Sequence, residues 1–157
     1  RMSTRSRVPI AIVRLVVQAG GAKPSPPVGP ALGQHGVNIM SFCKDFNAKT
    51  SELVSETPTP VKISIYQDKT FEWTMQTPPT SWLIARCAGV TSASSRAGHE
   101  ACGTINLKHC YEIARVKSRD DSLGHLDMES LVRSVVGTAR SMGIGVVDGR
   151  AKASSGV

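Results

Sequence analysis

The sequence predicts an α+β protein built from two small domains. The first should be an N-terminal α/β domain with a β-hairpin and a proline-rich loop, and the second a C-terminal domain of three helices with short strands. Two alternating apolar runs, Val61–Tyr66 and Thr70–Met75, predict the hairpin, because side chains alternate with period two along a strand. Apolar residues at helical spacing predominate after residue 80. Between these patterns lies Pro78-Pro79, which is typical of a stiff connector.

The N-terminal domain should contain one further strand and a helix before the hairpin. Val8–Gln18 is rich in β-branched residues and partly alternating, which predicts a strand. The helix should begin after Asn38, a favourable N-cap, and continue to about Lys49 with apolar residues spaced i, i+3, i+4 and i+7. Thr57–Pro60 contains two prolines, so we expect it to interrupt regular structure before the hairpin.

Residues 23–40, KPSPPVGPALGQHGVNIM, form an unusual segment for a small protein. Four of the nine prolines of the chain lie between Pro24 and Pro30, and several glycines follow. Proline removes a backbone donor and fixes φ, while glycine raises the entropy cost of ordering, so neither helix nor strand is expected. The segment should therefore be a stiff, pre-shaped loop. A polyproline peptide ligand is an alternative, but the interleaved glycines argue against a continuous polyproline helix.

After the connector, the periodicity predicts helices at Ser81–Ala88, Leu107–Arg119 and Asp127–Met142. Thr91–Gly98 consists mostly of small residues and is predicted as a loop. In the last helix, Asp127 is a plausible N-cap and Gly143 a plausible stop signal.

A short strand at Ile144–Val147 should complete the C-terminal domain. We therefore assign residues 8–76 to the first domain, 77–80 to the Pro-Pro linker and 81–148 to the second domain. Residues 1–7 and 149–157 are expected to be flexible tails.

The helix predicted at 127–142 has an unusual polar face. An ordinary solvated face would carry Glu, Lys and Gln. This face carries Ser130, Arg133, Ser134, Gly137, Thr138, Arg140 and Ser141. A glycine inside a helix costs about 1 kcal/mol relative to alanine, so it suggests close approach by another backbone. Hydroxyls and guanidinium groups bond to phosphate and ribose oxygens, which favours a nucleic-acid partner. A notch for packing against another helix is the alternative.

The overall charge favours the same class of partner. The net charge is +7 and the pI is about 9.6, typical of proteins that bind polyanions. The charge is spread evenly along the chain, so binding should use a shaped surface rather than a basic tail. No apolar run is long enough to span a membrane, and no membrane partner is expected.

Motifs of common enzyme classes are absent from the sequence, including the phosphate-binding loop, the G-x-S-x-G elbow and H-E-x-x-H. The alternative is a small metal- or thiol-dependent enzyme that uses His35 with Cys43. A second grouping for such an enzyme is His99, Cys102, His109 and Cys110. The spacing of this second group matches no familiar zinc pattern. We therefore predict no enzymatic activity, no catalytic residue, no cofactor and no metal site.

Two long motifs indicate a family. The stretch PSPPVGPALGQHGVNIMSFCKDFNAKT closely resembles the signature of the ribosomal protein L11 family of the large subunit, and GTARSMG resembles the C-terminal signature of that family. The resemblance covers about residues 8–148. It implies a structural constituent of the large subunit that binds the GTPase-associated region of the large rRNA at the stalk base. The implied partners are large-subunit rRNA, stalk ribosomal proteins and, transiently, translational GTPases and release factors.

The resemblance and the polar helix face together imply two sets of site residues. The rRNA interface would comprise Pro78, Pro79, Arg86, Gly89, Thr91, Ser92, Ser94, Ser95, Arg96, Arg133, Ser134, Gly137, Thr138, Arg140, Ser141, Met142 and Gly143. The surface facing translation factors and thiopeptide antibiotics would comprise Pro24, Ser25, Pro26, Pro27, Gly29, Pro30, Gln34 and His35.

The sequence departs from the family pattern in two places and suggests a branch within it. Thr91–Arg96 holds one basic residue where the family loop is rich in Gly and Lys, which weakens the expectation of phosphate contacts there. His35 stands where bacterial members commonly have Gln. The stretch LKHCYEIARVKSRDDS and the Arg-rich start RMSTRSR resemble the mitochondrial branch. The expected location is therefore the ribosome of the mitochondrial matrix, with the bacterial cytoplasm as the alternative.

Overall fold

A computed structural model describes residues 8–148 of the chain. The chain divides into two compact units, one ending at Pro78 and the other beginning at Pro79. Both units mix helices and strands, which confirms the α+β prediction. The expected tails, 1–7 and 149–157, lie outside the described residues. None of the helices within 8–148 is long and apolar enough to cross a membrane.

The N-terminal unit is a three-stranded antiparallel sheet covered on one face by helices. Its elements are β1 (Ala11–Gln18), α1 (Val28–Gly33), α2 (Ile39–Thr50), β2 (Pro58–Ile65) and β3 (Phe71–Met75). The strand order is β1-β2-β3, and Ile63 lies between Val13 and Trp73 in the register. The predicted hairpin of β2 and β3 is confirmed.

The helix expected after Asn38 is confirmed as α2. The side chain of Asn38 accepts a hydrogen bond from the Ser41 backbone N–H at 3.3 Å, which satisfies a donor that the first turn leaves free. Phe42 and Phe46, both fully buried, place the apolar stripe against the sheet. The rings of Phe42 and Trp73 meet edge to face with centroids 5.8 Å apart.

The expectation that the proline-rich segment forms neither helix nor strand was wrong for residues 28–33, which form α1. Pro30 lies in the first turn, where the missing N–H has no intrahelical partner to lose. Val28 and Leu32, exposed by 1% and 0%, anchor this short helix in the core. A Cβ at Gly29 would overlap the carbonyl oxygen of Pro24, so this glycine permits the close approach of the preceding loop.

The interruption expected at Thr57–Pro60 was also wrong, because β2 begins at Pro58. The Thr57 carbonyl accepts from the Ala19 N–H at 2.9 Å, and the Pro60 carbonyl accepts from the Gln76 N–H at 2.9 Å. In β2, the backbone N–H and C=O groups of odd-numbered residues bond to β1, and those of even-numbered residues point towards β3. The missing donors of both prolines therefore point towards the β3 side near the end of that strand, and the ladder to β1 stays intact.

The C-terminal unit contains three helices and one pair of strands. Its elements are α3 (Thr80–Ala88), β4 (Gly103–Asn106), α4 (Leu107–Lys117), α5 (Met128–Ser141) and β5 (Ile144–Val147). Strand β5 was predicted, whereas β4, which pairs with it in parallel, was not located from the sequence. Thr80 was expected in the linker but is the first helical residue after Pro79, and α4 ends two residues before the expected Arg119.

Small and branched side chains fill the core of the C-terminal unit. Ile84, Cys110, Ala114 and Ala139 have no exposed surface and come from α3, α4 and α5. Burial of this aliphatic set holds the three helices together, at roughly 25 cal/mol for each Å² of apolar area removed from water. The polar face of α5 is consequently directed away from the core.

Candidate nucleic-acid interface

Helix α5 separates its apolar and polar residues as the sequence predicts. Leu131, Val135 and Ala139 are buried in the core of the C-terminal unit. Arg133 and Arg140 are exposed on the opposite face. Asp127 occupies the N-cap position in an extended conformation, but its side chain makes no capping hydrogen bond. The helix therefore relies on its packed face rather than on its cap.

Gly137 lies at an open point on the polar face of α5. The residue is exposed, and a Cβ built there would meet no described atom within 4 Å beyond the neighbouring backbone of α5 itself. A packing notch for another helix of this chain was the alternative explanation, and no described element fills it. The helix therefore carries the entropy cost of glycine without an internal packing gain. The position is open to the backbone of another molecule.

The hydroxyl groups beside Gly137 have their donors occupied within the helix. Thr138 Oγ1 donates to the Ser134 carbonyl at 2.9 Å, and Ser141 Oγ donates to the Thr138 carbonyl at 2.8 Å. Each hydroxyl oxygen still has lone pairs directed outward. In this arrangement the two side chains are hydrogen-bond acceptors, which suits ribose 2′-hydroxyls and base amino groups better than phosphates.

The two arginines of the polar face differ in their partners. Arg133 Nη2 lies 2.6 Å from Glu129 Oε1, one turn earlier. The Arg140 side chain makes no ion pair or hydrogen bond with the described residues. An exposed ion pair one turn apart contributes only about 0.3–0.5 kcal/mol, so Arg133 can exchange its partner at small cost. Arg140 could bind a phosphate without first giving up an ion-pair partner.

The loop after α3 is attached to the C-terminal end of α5 by backbone hydrogen bonds. The Ser94 N–H donates to the Met142 carbonyl at 3.0 Å, and the Cys102 N–H donates to the Gly143 carbonyl at 2.9 Å. Ser94 Oγ accepts from the Arg96 N–H at 3.2 Å, which shapes the loop locally. The structure therefore brings the predicted loop and the predicted helix end together.

Gly143 is buried at this attachment and does not present a free surface. Its φ is +74°, and a Cβ there would lie 2.6 Å from the Ser94 Cβ and 3.0 Å from the Glu100 carbonyl oxygen. Met142 is half-buried and its carbonyl is already bonded to the loop. The geometry therefore indicates that Met142 and Gly143 position the loop, whereas the family motif implied that they contact rRNA directly.

The remaining residues of the predicted rRNA set lie at the surface around α3 and the loop. Thr91, Ser92, Ser95 and Arg96 are exposed. Arg86 stacks over the Trp82 ring with 5.7 Å between its guanidinium carbon and the ring centroid.

Two other members of the set mark the ends of α3. Pro79 is its N-cap, and Gly89 ends it in the left-handed conformation. Pro78 is the last residue of the N-terminal unit. Among the described residues, no hydrogen bond or ion pair joins Arg86 at the end of α3 to the polar face of α5.

The second predicted set lies before and along α1 of the N-terminal unit and just after it. The exposed members are Pro24, Ser25, Pro26, Pro27, Pro30 and Gln34. Gly29 and His35 are half-buried, and the Pro26–Pro27 peptide bond is cis. The Ser25 carbonyl accepts from the N–H groups of Val28 and Gly29, at 3.1 and 3.2 Å. Because Val28 is buried, the start of α1 is anchored in the core.

The thiol that an enzyme would need is not activated. Cys43 is buried in the apolar core, and this desolvation raises the pKa of its thiol, whereas a nucleophile needs a lowered pKa. Burial also raises the pKa of the Cys110 thiol, with a smaller contribution from Cys87. His109 accepts the Asn106 N–H at 3.4 Å as part of a capping box on α4.

The alternative metal site is likewise not assembled in the part of the chain that the structure describes. Between residues 8 and 148, no three His, Cys, Asp or Glu side chains are grouped so that they could hold a metal ion. The residues His99, Cys102, His109 and Cys110 are close in sequence, but the described structure does not group them. Cys110 is a core residue, and Cys102 Sγ lies 3.5 Å from the Met142 and Gly143 carbonyl oxygens.

Comparison with known proteins gives matches to both units. Residues 13–71 match the family model of the N-terminal domain of ribosomal protein L11, and residues 76–146 match that of the ribosomal protein L11 RNA-binding domain. The chain is 48% identical over 136 residues to the large ribosomal subunit protein uL11m of Schizosaccharomyces pombe. This alignment covers 87% of the chain and 94% of the relative.

Proposed function

Since the chain belongs to the ribosomal protein L11 family and is a structural constituent of the large ribosomal subunit, we propose that it binds the GTPase-associated region of large-subunit rRNA at the stalk base. The binding surface would be the polar face of α5 together with the loop attached to its end. The relative uL11m supports placing this protein in the mitochondrial ribosome.

The observation that carries the proposal is the open position of Gly137 on an otherwise well-packed helix. An RNA backbone can approach α5 closely there, because no side chain projects from residue 137 and no described atom fills the space. The acceptor oxygens of Thr138 and Ser141 flank that point. RNA differs from DNA by its 2′-hydroxyl donors, so this arrangement favours RNA.

Phosphate contacts would come from the arginines around this close approach. Arg140 is free of local partners, and Arg133 is held only by an exposed ion pair. Within the attached loop, Arg96 provides one further cation, and its guanidinium lies 3.9 Å from Glu100. Few cations and many small polar groups indicate recognition of a folded RNA shape rather than a general attraction to polyanions.

The direct test is titration of the full-length protein with an RNA fragment of the GTPase-associated region at several salt concentrations. We expect the logarithm of affinity to fall linearly with the logarithm of salt concentration. We also expect Arg140→Gln to reduce the magnitude of that slope by about one. Arg115→Gln is the matched control, because Arg115 is exposed on α4 and pairs with Glu112. Equal affinity for the folded fragment and for an unfolded RNA of the same composition would refute the proposal.

The proline-rich surface is proposed to contact translation factors and thiopeptide antibiotics, as the family resemblance implies. This proposal is supported by the anchoring of the segment, because the exposed prolines lie beside Val28 and Leu32, which are buried in the core. A preformed surface loses little conformational entropy at each transient encounter. Stalk ribosomal proteins, translational GTPases and release factors are the proposed partners. Factor-dependent GTP hydrolysis on ribosomes reconstituted with Pro26→Ser and Pro27→Ser variants tests this assignment, and unchanged hydrolysis would contradict it.

A further inference from the structure

The sheet of the N-terminal unit leaves the edge of β1 unpaired. The bond from the Ala19 N–H to the Thr57 carbonyl shows that odd-numbered residues of β1 are those that bond to β2. The backbone N–H and C=O groups of Ile12, Arg14 and Val16 therefore point to the outer edge. No described residue hydrogen-bonds to these groups.

Two of these three residues also expose large aliphatic side chains on the outer face of the sheet. The exposed fractions are 50% for Ile12 and 53% for Val16. Val13 and Leu15, which alternate with them, pack against the core. An eight-residue edge strand without proline, glycine or bulge is a ready template for pairing with another strand.

The outer face also carries two adjacent cations, while Glu72 on the same face is opposite Ser64 and its carboxylate accepts from the Tyr66 hydroxyl at 2.7 Å. Arg14 and Lys62 are direct cross-strand partners in the register of β1 and β2, and both are exposed. They occupy a non-hydrogen-bonded position of the ladder, where side chains of the two strands lie closest. Neither side chain forms an ion pair or hydrogen bond with the described residues. Like charges in this arrangement destabilise a sheet, and an added carboxylate would relieve the repulsion.

We propose that the β1 edge docks an extended acidic peptide segment of a protein partner, which adds to the sheet as a fourth, antiparallel strand. Backbone bonds to residues 12, 14 and 16 would hold it, as in other cases of strand addition. Facing Ile12, Arg14 and Val16, the segment would read apolar–x–acidic–x–apolar, because side chains alternate along a strand. The Val16 end of this edge adjoins the proline-rich surface, because Val16 lines one cavity together with Ser25, Pro26 and Pro27.

A peptide fits this edge better than a nucleic acid. The unpaired N–H and C=O groups alternate at the spacing of a peptide strand, and the exposed side chains beside Arg14 are aliphatic. Single-stranded RNA is instead held by aromatic or guanidinium faces on which bases stack. The described part of the outer face has no aromatic side chain between Ile12 and Val16.

The test uses full-length ¹⁵N-labelled protein and the capped peptide TVTETVT as the probe. We expect shifts of the Ile12, Arg14 and Val16 amides, and at least about tenfold weaker binding of the peptide TVTKTVT. Arg14→Glu should reverse this preference, whereas Lys44→Glu, on the exposed side of α2, should leave it unchanged. Absence of binding up to about 1 mM peptide, or shifts confined to α5, would overturn the proposal.

A backbone control distinguishes strand addition from simple charge attraction. N-methylation of the two valines and the glutamate removes the donors that face β1 in antiparallel pairing, and binding should be lost. N-methylation of the two central threonines should retain binding, because their N–H groups face away. Equal binding of both methylated peptides would refute strand addition. Displacement of TVTETVT from the same amides by oligouridine would identify the edge as an RNA surface and overturn the proposal.

Discussion

A Cβ on Gly143 would stand only 2.6 Å from the Cβ of Ser94, closer than side-chain contacts in proteins normally come. The Ser94 backbone N–H donates to the Met142 carbonyl, and this hydrogen bond keeps Ser94 close to Gly143. One glycine after α5 thus decides where the loop that follows α3 can lie. The positive φ of +74° adds a second reason for glycine at this position.

Gly143→Ala should therefore destabilise the protein by about 1–3 kcal/mol, from backbone strain together with overpacking against Ser94. Urea unfolding followed by circular dichroism measures the change. Gly124→Ala is the control, because the nearest atom to a Cβ there is 3.8 Å away and its φ lies outside the left-handed range. A Gly143→Ala protein as stable as the parent would show that the loop can move away freely.

Gly137→Ala should stabilise the free protein and weaken RNA binding. Alanine is favoured over glycine inside a helix by about 1 kcal/mol, and the added methyl group meets no described atom within 4 Å. In the complex the same methyl would obstruct the approach of the RNA backbone. Urea unfolding and RNA titration on one preparation measure both effects, with Gly124→Ala, outside the proposed interface, as the control. Unchanged RNA affinity would count against close approach at Gly137.

Gly29→Ala should destabilise the N-terminal unit by about 1–3 kcal/mol, because the Cβ would overlap the Pro24 carbonyl oxygen. The loop before α1 would have to move, and with it the surface proposed to contact translation factors. Gly33→Ala in the same helix is the matched control, since no atom lies within 4 Å of its Cβ position. The difference in urea midpoints between the two variants is the decisive quantity, and equal midpoints would contradict the expectation.

The four cysteines should divide into two reactivity classes towards iodoacetamide. Cys87 and Cys102 are exposed and should be alkylated rapidly. Cys43 and Cys110 are buried, and their raised pKa values reduce the thiolate fraction at pH 8, so their alkylation should require opening of the fold. Peptide mass spectrometry over time separates the classes. Rapid labelling of Cys43 in the folded protein would contradict the packing of α2 on the sheet.

The same buried thiols predict a loss of stability in alkali. A thiol with a raised pKa in the folded state contributes stability that is fully present below its unfolded pKa of about 8.5. That contribution is lost as the pH rises through the higher folded pKa values of Cys43 and Cys110. A double variant with alanine at both positions should show a shallower decline between pH 8 and 10.5. Parallel declines in urea unfolding would exclude this linkage.

Local sequence signals predicted α2 and α5 well because both helices bury a regular apolar stripe. Asn38 caps α2 through its own side chain, and Phe42 and Phe46 are fully buried. Helix α1 was not predicted, because its local sequence disfavours a helix and only its packing stabilises one. Its proline and glycine disfavour a helix locally, and burial of Val28 and Leu32 against the core outweighs that preference.

Long-range pairing accounts for the other differences. Strand β4 has only four residues and pairs with β5, so Gly103 meets Ile144 far along the sequence. Within the candidate interface, the polar face of α5 followed from periodicity alone. The positioning role of Gly143 did not, because it depends on Ser94, which no local pattern relates to the end of α5.

The backbone N–H groups of Ser94 and Cys102 attach the loop to α5, and the Cys102 thiol lies 3.5 Å from the two carbonyl oxygens that accept these bonds. Such an attachment places little chemical requirement on the side chains around it, apart from Cys102 and the space that Gly143 leaves open. Thr91, Ser92 and Ser95 can therefore be exchanged for lysine or glycine while the loop remains in the same place. The electrostatic strength of the RNA contact can thus be adjusted independently of its shape. In this chain Arg96 is the one Lys or Arg between residues 91 and 98, so the loop would contribute little charge to the proposed contact.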